Sequence, residues 1–176
     1  MTTRITARTF ALILGIAYLG AGLLGLMPGM LTPPPPDSPA MRFDVMNGML
    51  LGLFHVNMLL TVLYLLIGAW GLAAYMGWYQ PRMYARSLAL LFGVLGVIGL
   101  IPALNTLFGL VPLHGNDVWL HLATAAAAGY LGWRPETGEQ RRTINGDRRR
   151  ASRAPIANER RQGMYDRRRA AYVPQV

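Results

Sequence analysis

The three histidines of the chain, His55, His114 and His121, are the side chains best suited to ligand chemistry. His114, Asp117 and His121 are spaced i, i+3 and i+7, so they share one face of any helix that begins by His114. Two imidazoles and a carboxylate are groups that a divalent metal accepts as ligands. The alternative, which the pattern favours, places His114 in a loop and makes Asn116 or Asp117 the N-cap of the helix.

His121 lies one turn inside that predicted helix, where ionisable residues of membrane proteins usually face the bundle interior. We expect it to hydrogen-bond to Asn105, Asn57 or Thr124, either fixing the packing or forming a ligand site near the outer surface. His55 and His121 occupy matched outer positions, and a b-type haem held by both is a further interpretation. The candidate outer polar site consists of Asn57, Asn105, His114, Asn116, Asp117 and His121.

No catalytic set accompanies these residues. The chain has no Cys, which excludes disulfides, thiol catalysis and Cys-ligated zinc. Ser38 and Ser87 are the only serines among the first 133 residues, and neither has a nearby base. No charged residue lies at the middle of a predicted span, which argues against an ion-coupled transporter. The sequence therefore predicts a protein that is not an enzyme and needs no cofactor.

The elements that must position these residues are membrane helices. Hydrophobic residues make up 53% of the chain and charged residues 14%, whereas a soluble domain carries about 25% charged residues. An apolar block at 45–76 is longer than one span needs, so we divide it near His55–Asn57. The prediction is an all-α membrane protein, in which residues 1–133 form the transmembrane domain. Its four spans are 9–30, 57–78, 84–104 and 117–133.

The distribution of Arg predicts how these spans are oriented. All 17 basic residues are Arg. The first and third loops between spans hold only Arg42, and the other 16 lie in the N-terminal segment, the second loop and the tail. Because basic residues are retained in the cytoplasm, we expect both termini there, in a bacterial inner membrane.

Two pairs of motifs indicate an internal repeat. Residues 22–28 read Gly-Leu-Leu-Gly-Leu-Met-Pro and residues 96–102 read Gly-Val-Ile-Gly-Leu-Ile-Pro, at an offset of 74. Residues 50–57 resemble residues 107–114 at an offset of 57. Each half would contain two spans, and the halves would be parallel, related by rotation about the membrane normal. Chance similarity is the alternative, because Gly, Leu and Pro are common in spans.

Small residues recur on the predicted helices and favour close packing within the bundle or against other subunits. They are Ala17, Ala21, Gly25 and Gly29 on the first helix, Gly93, Gly96 and Gly99 on the third, and Ala125, Ala128, Gly129 and Gly132 on the fourth.

The tail, residues 134–176, contains the sequence Asp-Arg-Arg-Arg-Ala twice, at 147–151 and 166–170. Arg clusters beside a cytoplasmic face attract anionic membrane lipid. They also form bidentate bonds with carboxylates of a protein partner, and nucleic acid is disfavoured because acidic residues interrupt the basic runs. The candidate partner-binding residues are Arg148, Arg149, Arg150, Arg160, Arg161, Arg167, Arg168 and Arg169.

The stretch Asn105–His121, Asn-Thr-Leu-Phe-Gly-Leu-Val-Pro-Leu-His-Gly-Asn-Asp-Val-Trp-Leu-His, resembles the signature of an uncharacterised bacterial family of four-helix membrane proteins. The resemblance covers about residues 8–133 and includes a second stretch at 51–57. This chain departs from the family pattern at His55, where the family has Pro, and at Leu60 and Tyr64, where it has His. The resemblance implies a topology and no established activity.

Two functions of different classes follow from these features. The first is a non-catalytic accessory subunit of a larger membrane complex, held by Gly- and Ala-rich helix faces and the tail. The second is a membrane protein that binds a small molecule, a metal or haem at the outer ends of the helices.

Overall fold

The computed structural model describes residues 5–135 of the chain. Four helices dominate: α1 (Ala7–Gly25), α2 (Met58–Met76), α3 (Pro81–Gly99) and α4 (Asn116–Trp133). The predicted division of residues 45–76 is confirmed, because α2 begins directly after Asn57. The Arg clusters predicted to bind a partner lie outside the described residues.

Three of the helices, α1, α2 and α3, are long and apolar enough to cross a membrane, consistent with a multi-pass membrane protein. The fourth predicted span differs from expectation. Helix α4 forms over nearly the predicted range, but it is not apolar enough to be counted among the three candidate spans. The reason is that its Ala-rich sequence also carries the polar residues Asn116, Asp117, His121 and Thr124. The first span is also shorter than predicted, because α1 ends at Gly25 and Pro28–Met30 forms a 3-10 turn.

The helices pack as two hairpins, α1 against α2 and α3 against α4. Glycine permits the close approach in each. A Cβ atom added at Gly22 would lie 2.6 Å from Leu65 Cγ, and one added at Gly96 would lie 2.6 Å from Leu122 Cδ2. Gly22 corresponds to Gly96 at the offset of 74, and Leu65 to Leu122 at the offset of 57, so the two hairpins use the same contact.

The helix limits follow the same offsets. Both ends of α3 lie 74 residues after the ends of α1, and α2 and α4 end 57 residues apart, at Met76 and Trp133.

The predicted small-residue face of α1 is only partly correct. Gly25 packs against Thr61, whereas Ala17 and Gly29 are exposed, because the buried face of α1 passes through Ala11, Gly15, Tyr18 and Gly22 instead.

The sequence did not predict strands, and three short ones stand beside the helices. They are β1 (Leu31–Thr32), β2 (Gly48–Leu50) and β3 (Phe54–Val56), which form an antiparallel sheet in the order β1-β2-β3. In the register, Leu31 pairs with Leu50, and Met49 pairs with His55. The hairpin between β2 and β3 places His55 at the beginning of α2.

The turn of this hairpin recurs in the second half. Leu51 and Gly52 have positive φ values of 53° and 71°, and Phe108 and Gly109, 57 residues later, have values of 60° and 85°. The same backbone bonds close both turns: Gly52 N donates to Met49 O (3.2 Å), and Gly109 N donates to Thr106 O (2.9 Å). Such backbone favours glycine, which explains why each motif contains one.

The two ends of the bundle carry opposite charge. At the arginine end, where α1 and α3 begin, Arg8 Nε donates to Tyr75 O and Arg86 Nε donates to Gly132 O, both at 2.9 Å. These carbonyls belong to the last turns of α2 and α4, where a cation is favourable. The loop end, where α2 and α4 begin, carries every acidic residue of the described chain. These are Asp37, Asp44 and Asp117.

Candidate functional site

A cleft of about 240 Å³ opens at the loop end of the bundle. The loop before β2, the β2–β3 hairpin and the beginning of α4 form its walls. The polar side chains among its lining residues are Asp37, Ser38, His55, His114, Asn116 and Asp117. The cleft therefore joins residues that are up to 82 positions apart in sequence, from Pro35 to Asp117.

Asp117 is the most buried of these groups, with no exposed surface. Its Oδ2 accepts a hydrogen bond from the backbone N–H of His55 at 2.8 Å. Within the described chain, its Oδ1 has no hydrogen-bond partner. Neither Asn116 nor Asp117 caps α4 as the sequence predicted: the N-cap position is Gly115, whose conformation (φ 67°) turns the chain into the helix.

His55 is 2% exposed and is fixed by Asn47. Its Nε2 lies 2.8 Å from Asn47 Oδ1, and because an amide oxygen only accepts, Nε2 carries the proton. The neutral ring then has an acceptor at Nδ1, which is buried and unpaired among the described residues. Burial lowers the pKa of His55 to about 4, His114 acts in the same direction, and Asp44 opposes both.

His114 lies in a loop, as the sequence predicted, and is half-buried. Its ring meets that of His55 edge to face, with centroids 4.8 Å apart. Burial lowers the pKa of His114, and its Nε2 is a buried atom without a partner in the described part of the molecule. His55, His114 and Asp117 all line this cleft, and each has one buried polar atom that is unpaired among the described residues.

The predicted asparagines have structural roles. Asn57 is fully buried and caps α2, since its Oδ1 accepts from Leu60 N at 3.1 Å. Its Nδ2 donates to Leu110 O (2.7 Å) and Phe43 O (3.2 Å), which joins the loops of the two halves.

The other two predicted asparagines are less buried than Asn57. Asn116 Nδ2 donates to Leu53 O at 3.1 Å on the rim of the cleft. Asn105 is half-buried and accepts a backbone bond from Leu113 N, and it is not among the residues that line the cleft.

His121 is separate from the cleft and lies in the core. His121 does not bond to any of the partners predicted for it, which were Asn105, Asn57 and Thr124. Its Nε2 instead lies 3.3 Å from the Tyr64 hydroxyl. The prediction was wrong because spacing along the helix says nothing about the facing helix. Tyr64 is the repeat equivalent of His121 at the offset of 57, a signal that could have identified it.

A second pair of equivalent residues meets beside this contact. Tyr18 and Phe92, 74 positions apart, stack with ring centroids 5.0 Å from each other. The Tyr18 hydroxyl and the Thr124 hydroxyl are 2.8 Å apart. Residues that correspond at the two offsets therefore touch one another at the centre of the bundle.

The arrangement does not match the metal and haem interpretations. No group of three or more His, Asp or Glu side chains within residues 5–135 is placed to hold a metal ion. His114, Asp117 and His121 do not act together, because His121 lies in the core while the other two line the cleft. His55 lies on β3 rather than on a helix facing His121, so the two are not placed as a pair of axial ligands.

Sequence reasoning missed other parts of the site. Asn47, which orients His55, and Asp37, at the rim, lie in a loop whose path no periodic pattern predicts.

Comparison with known proteins identifies the family. A family model described as a domain of unknown function, DUF4383, matches residues 8–134. The chain belongs to the DUF4383 family. The match confirms the predicted resemblance to a family without an established function. It covers the whole cleft and all but the first residue of the four helices. No curated protein and no solved structure matches this chain.

Proposed function

We propose that this chain is a non-catalytic, multi-pass protein of the bacterial inner membrane that binds a small polar ligand in the cleft at its loop end. One observation supports this function above the others. Three buried polar atoms, Asp117 Oδ1, His55 Nδ1 and His114 Nε2, have no partner among the described residues and belong to side chains that line one cleft. Leaving a buried polar group unpaired costs about 1–3 kcal/mol, which a bound ligand would offset.

We further propose that all four helices cross the membrane as two parallel repeats, with both termini cytoplasmic. The support is the residue-by-residue correspondence of the hairpins and the segregation of charge. Arg8, Arg82, Arg86 and Arg134 lie at the arginine end of the bundle, and basic residues favour the cytoplasmic side. In this orientation the cleft opens on the outer face.

The proposal is tested by thermal unfolding of the full-length protein in mild detergent with a panel of small polar solutes. We expect at least one solute to raise the melting temperature of the native protein, because a ligand that binds only the folded state stabilises it. Asp117→Asn keeps the size of the side chain and its acceptor for His55 N–H, and should lose the effect. Asp44→Asn, an exposed change at the same end, is the control. If every solute in the panel changes the melting temperatures of the native and Asp117→Asn proteins equally, the result would contradict a site in the cleft.

A second candidate is an accessory subunit of a membrane complex, supported by the sequence of the tail. The unit Asp-Arg-Arg-Arg-Ala occurs twice there, with acidic residues beside each basic cluster, and such Arg forms charge-assisted bonds with carboxylates. Truncation after Gln140 should then release a partner protein from the detergent-solubilised complex. Unchanged recovery of the partner would show that the tail does not hold it.

A further inference from the structure

Two of the three unpaired atoms on the cleft residues are hydrogen-bond acceptors. In its ionised form the Asp117 carboxylate only accepts, and its Oδ1 then requires a donor. His55 donates from Nε2 to Asn47, which leaves Nδ1 as an acceptor. His114 Nε2 is free to take either role, since the tautomer of that ring is not fixed by a partner in the described residues. A ligand that complements two fixed acceptors must present N–H or O–H groups.

The charge around the cleft selects among such donors. Asp117 is buried and Asp37 is exposed, and both line the cleft. Arg42 is the one basic residue at this end of the described chain; it is exposed and does not line the cleft. A buried carboxylate without a counter-ion is costly, so this site favours a cation and repels an anion.

The geometry distinguishes organic cations from metal ions. A transition metal would need three or more suitable ligands, and no such group occurs in the part of the chain that the structure describes. An organic cation instead satisfies several separated acceptors through its own N–H groups and fits a cleft of about 240 Å³.

We infer that the cleft binds a small organic cation with an amidinium, guanidinium or primary ammonium group, whose N–H donors meet Asp117, His55 and His114. This inference rests on the proposed function of the cleft. Specificity would come from the requirement that donors, and not merely positive charge, pair with the two fixed acceptors.

Three probes of nearly equal size and shape separate the relevant classes: acetamidinium, acetamide and acetate carry charges of about +1, 0 and −1 at neutral pH. Binding to the full-length protein in detergent is measured by saturation transfer to the methyl protons that all three share. We expect acetamidinium to bind and acetate not to bind. Asp117→Asn should weaken acetamidinium binding roughly tenfold or more, and Asp44→Asn should change it less than about twofold.

His55→Phe gives a second variant that removes an acceptor while keeping an aromatic ring. It should also weaken acetamidinium binding, and circular dichroism of each variant establishes that it is folded. Tighter binding of acetate or acetamide than of acetamidinium would overturn the cation inference while leaving the cleft as a ligand site. Failure of all three probes, together with no stabilising solute in the thermal panel, would overturn the proposed function as well.

Discussion

Asn57 illustrates how one side chain can hold two halves of a fold together. It caps α2 through Leu60 N and donates to the carbonyls of Leu110 and Phe43, with no exposed surface of its own. The cap and the two bonds from Nδ2 are separate contributions to stability. A lost N-cap costs about 1 kcal/mol, and each lost hydrogen bond costs about 0.5–1.5 kcal/mol.

We therefore expect Asn57→Ala to lower the free energy of unfolding by about 2–4 kcal/mol. Asn116→Ala is the matched control, since it removes one exposed hydrogen bond to Leu53 and should cost less than about 1 kcal/mol. Equilibrium unfolding in detergent micelles measures both. Equal losses for the two variants would mean that Asn57 does not connect the halves.

His55 makes stability depend on pH. Burial lowers its pKa from the usual 6.5 to about 4, so the folded state favours the neutral ring. Its contribution is complete above the unfolded pKa and is lost as the pH falls from 6.5 towards 4. At pH 5 the loss is about 2 kcal/mol relative to pH 8.

The pH profile of His55→Gln isolates this contribution, because every other titrating group is shared with the native protein. We expect the native protein to lose about 2 kcal/mol more than the variant between pH 8 and pH 5. The free energy of unfolding is measured at several pH values in the same detergent. Parallel profiles would show that His55 is not buried in its neutral form.

The sequence proposed His114, Asp117 and Asn57 as candidate site residues but did not predict the contacts that they make. Helical spacing grouped His114 and Asp117 with His121, whereas the structure pairs Asp117 with the backbone of His55. That bond crosses between the halves of the chain, and the spacing of residues in one helix cannot predict it.

At the scale of elements, glycines set the distance between paired helices. A Cβ atom at Gly68 would collide with the backbone of Leu19, whereas one at Gly20 would meet no described atom within 4 Å. Gly68→Ala should therefore destabilise the protein by about 1–3 kcal/mol. Gly20→Ala should be neutral or stabilising by up to about 1 kcal/mol, since Ala is the better helix former.

Denaturant unfolding of the two variants in detergent checks this prediction, and each serves as the control for the other. Equal effects would mean that α1 and α2 are not in close contact at Gly68. The same comparison is available for α3 and α4, where Gly96 packs against Leu122.

The helices were predictable and the strands were not. Long apolar runs and the two motif offsets gave the α2 boundary and the correspondence of α1 with α3, because these signals extend over many residues. The β2–β3 hairpin has only three residues in each strand. Its turn depends on the positive φ of Leu51, a residue type that rarely marks such turns.

At the scale of the whole molecule, the separation of charge predicts the orientation in the membrane. The chain has no Cys, so a single cysteine introduced at either end reports accessibility without background. Ser38→Cys lies in the lining of the cleft, and Gln80→Cys lies in the exposed loop at the arginine end.

We expect a membrane-impermeant maleimide to label Ser38→Cys in spheroplasts and to label Gln80→Cys only after the membrane is permeabilised. The reason is that basic residues keep the arginine end in the cytoplasm. Labelling with the opposite pattern would place the cleft in the cytoplasm.

The most direct test of the ligand-binding account is native mass spectrometry of the full-length protein purified from its own membranes in mild detergent. The account predicts a small-molecule adduct on the native chain that is absent from Asp117→Asn and retained by Asp44→Asn. A bare chain mass in all three preparations would contradict it. So would an associated protein subunit as the sole adduct, particularly one retained by Asp117→Asn and lost on truncation after Gln140, since the chain would then act through its tail rather than its cleft.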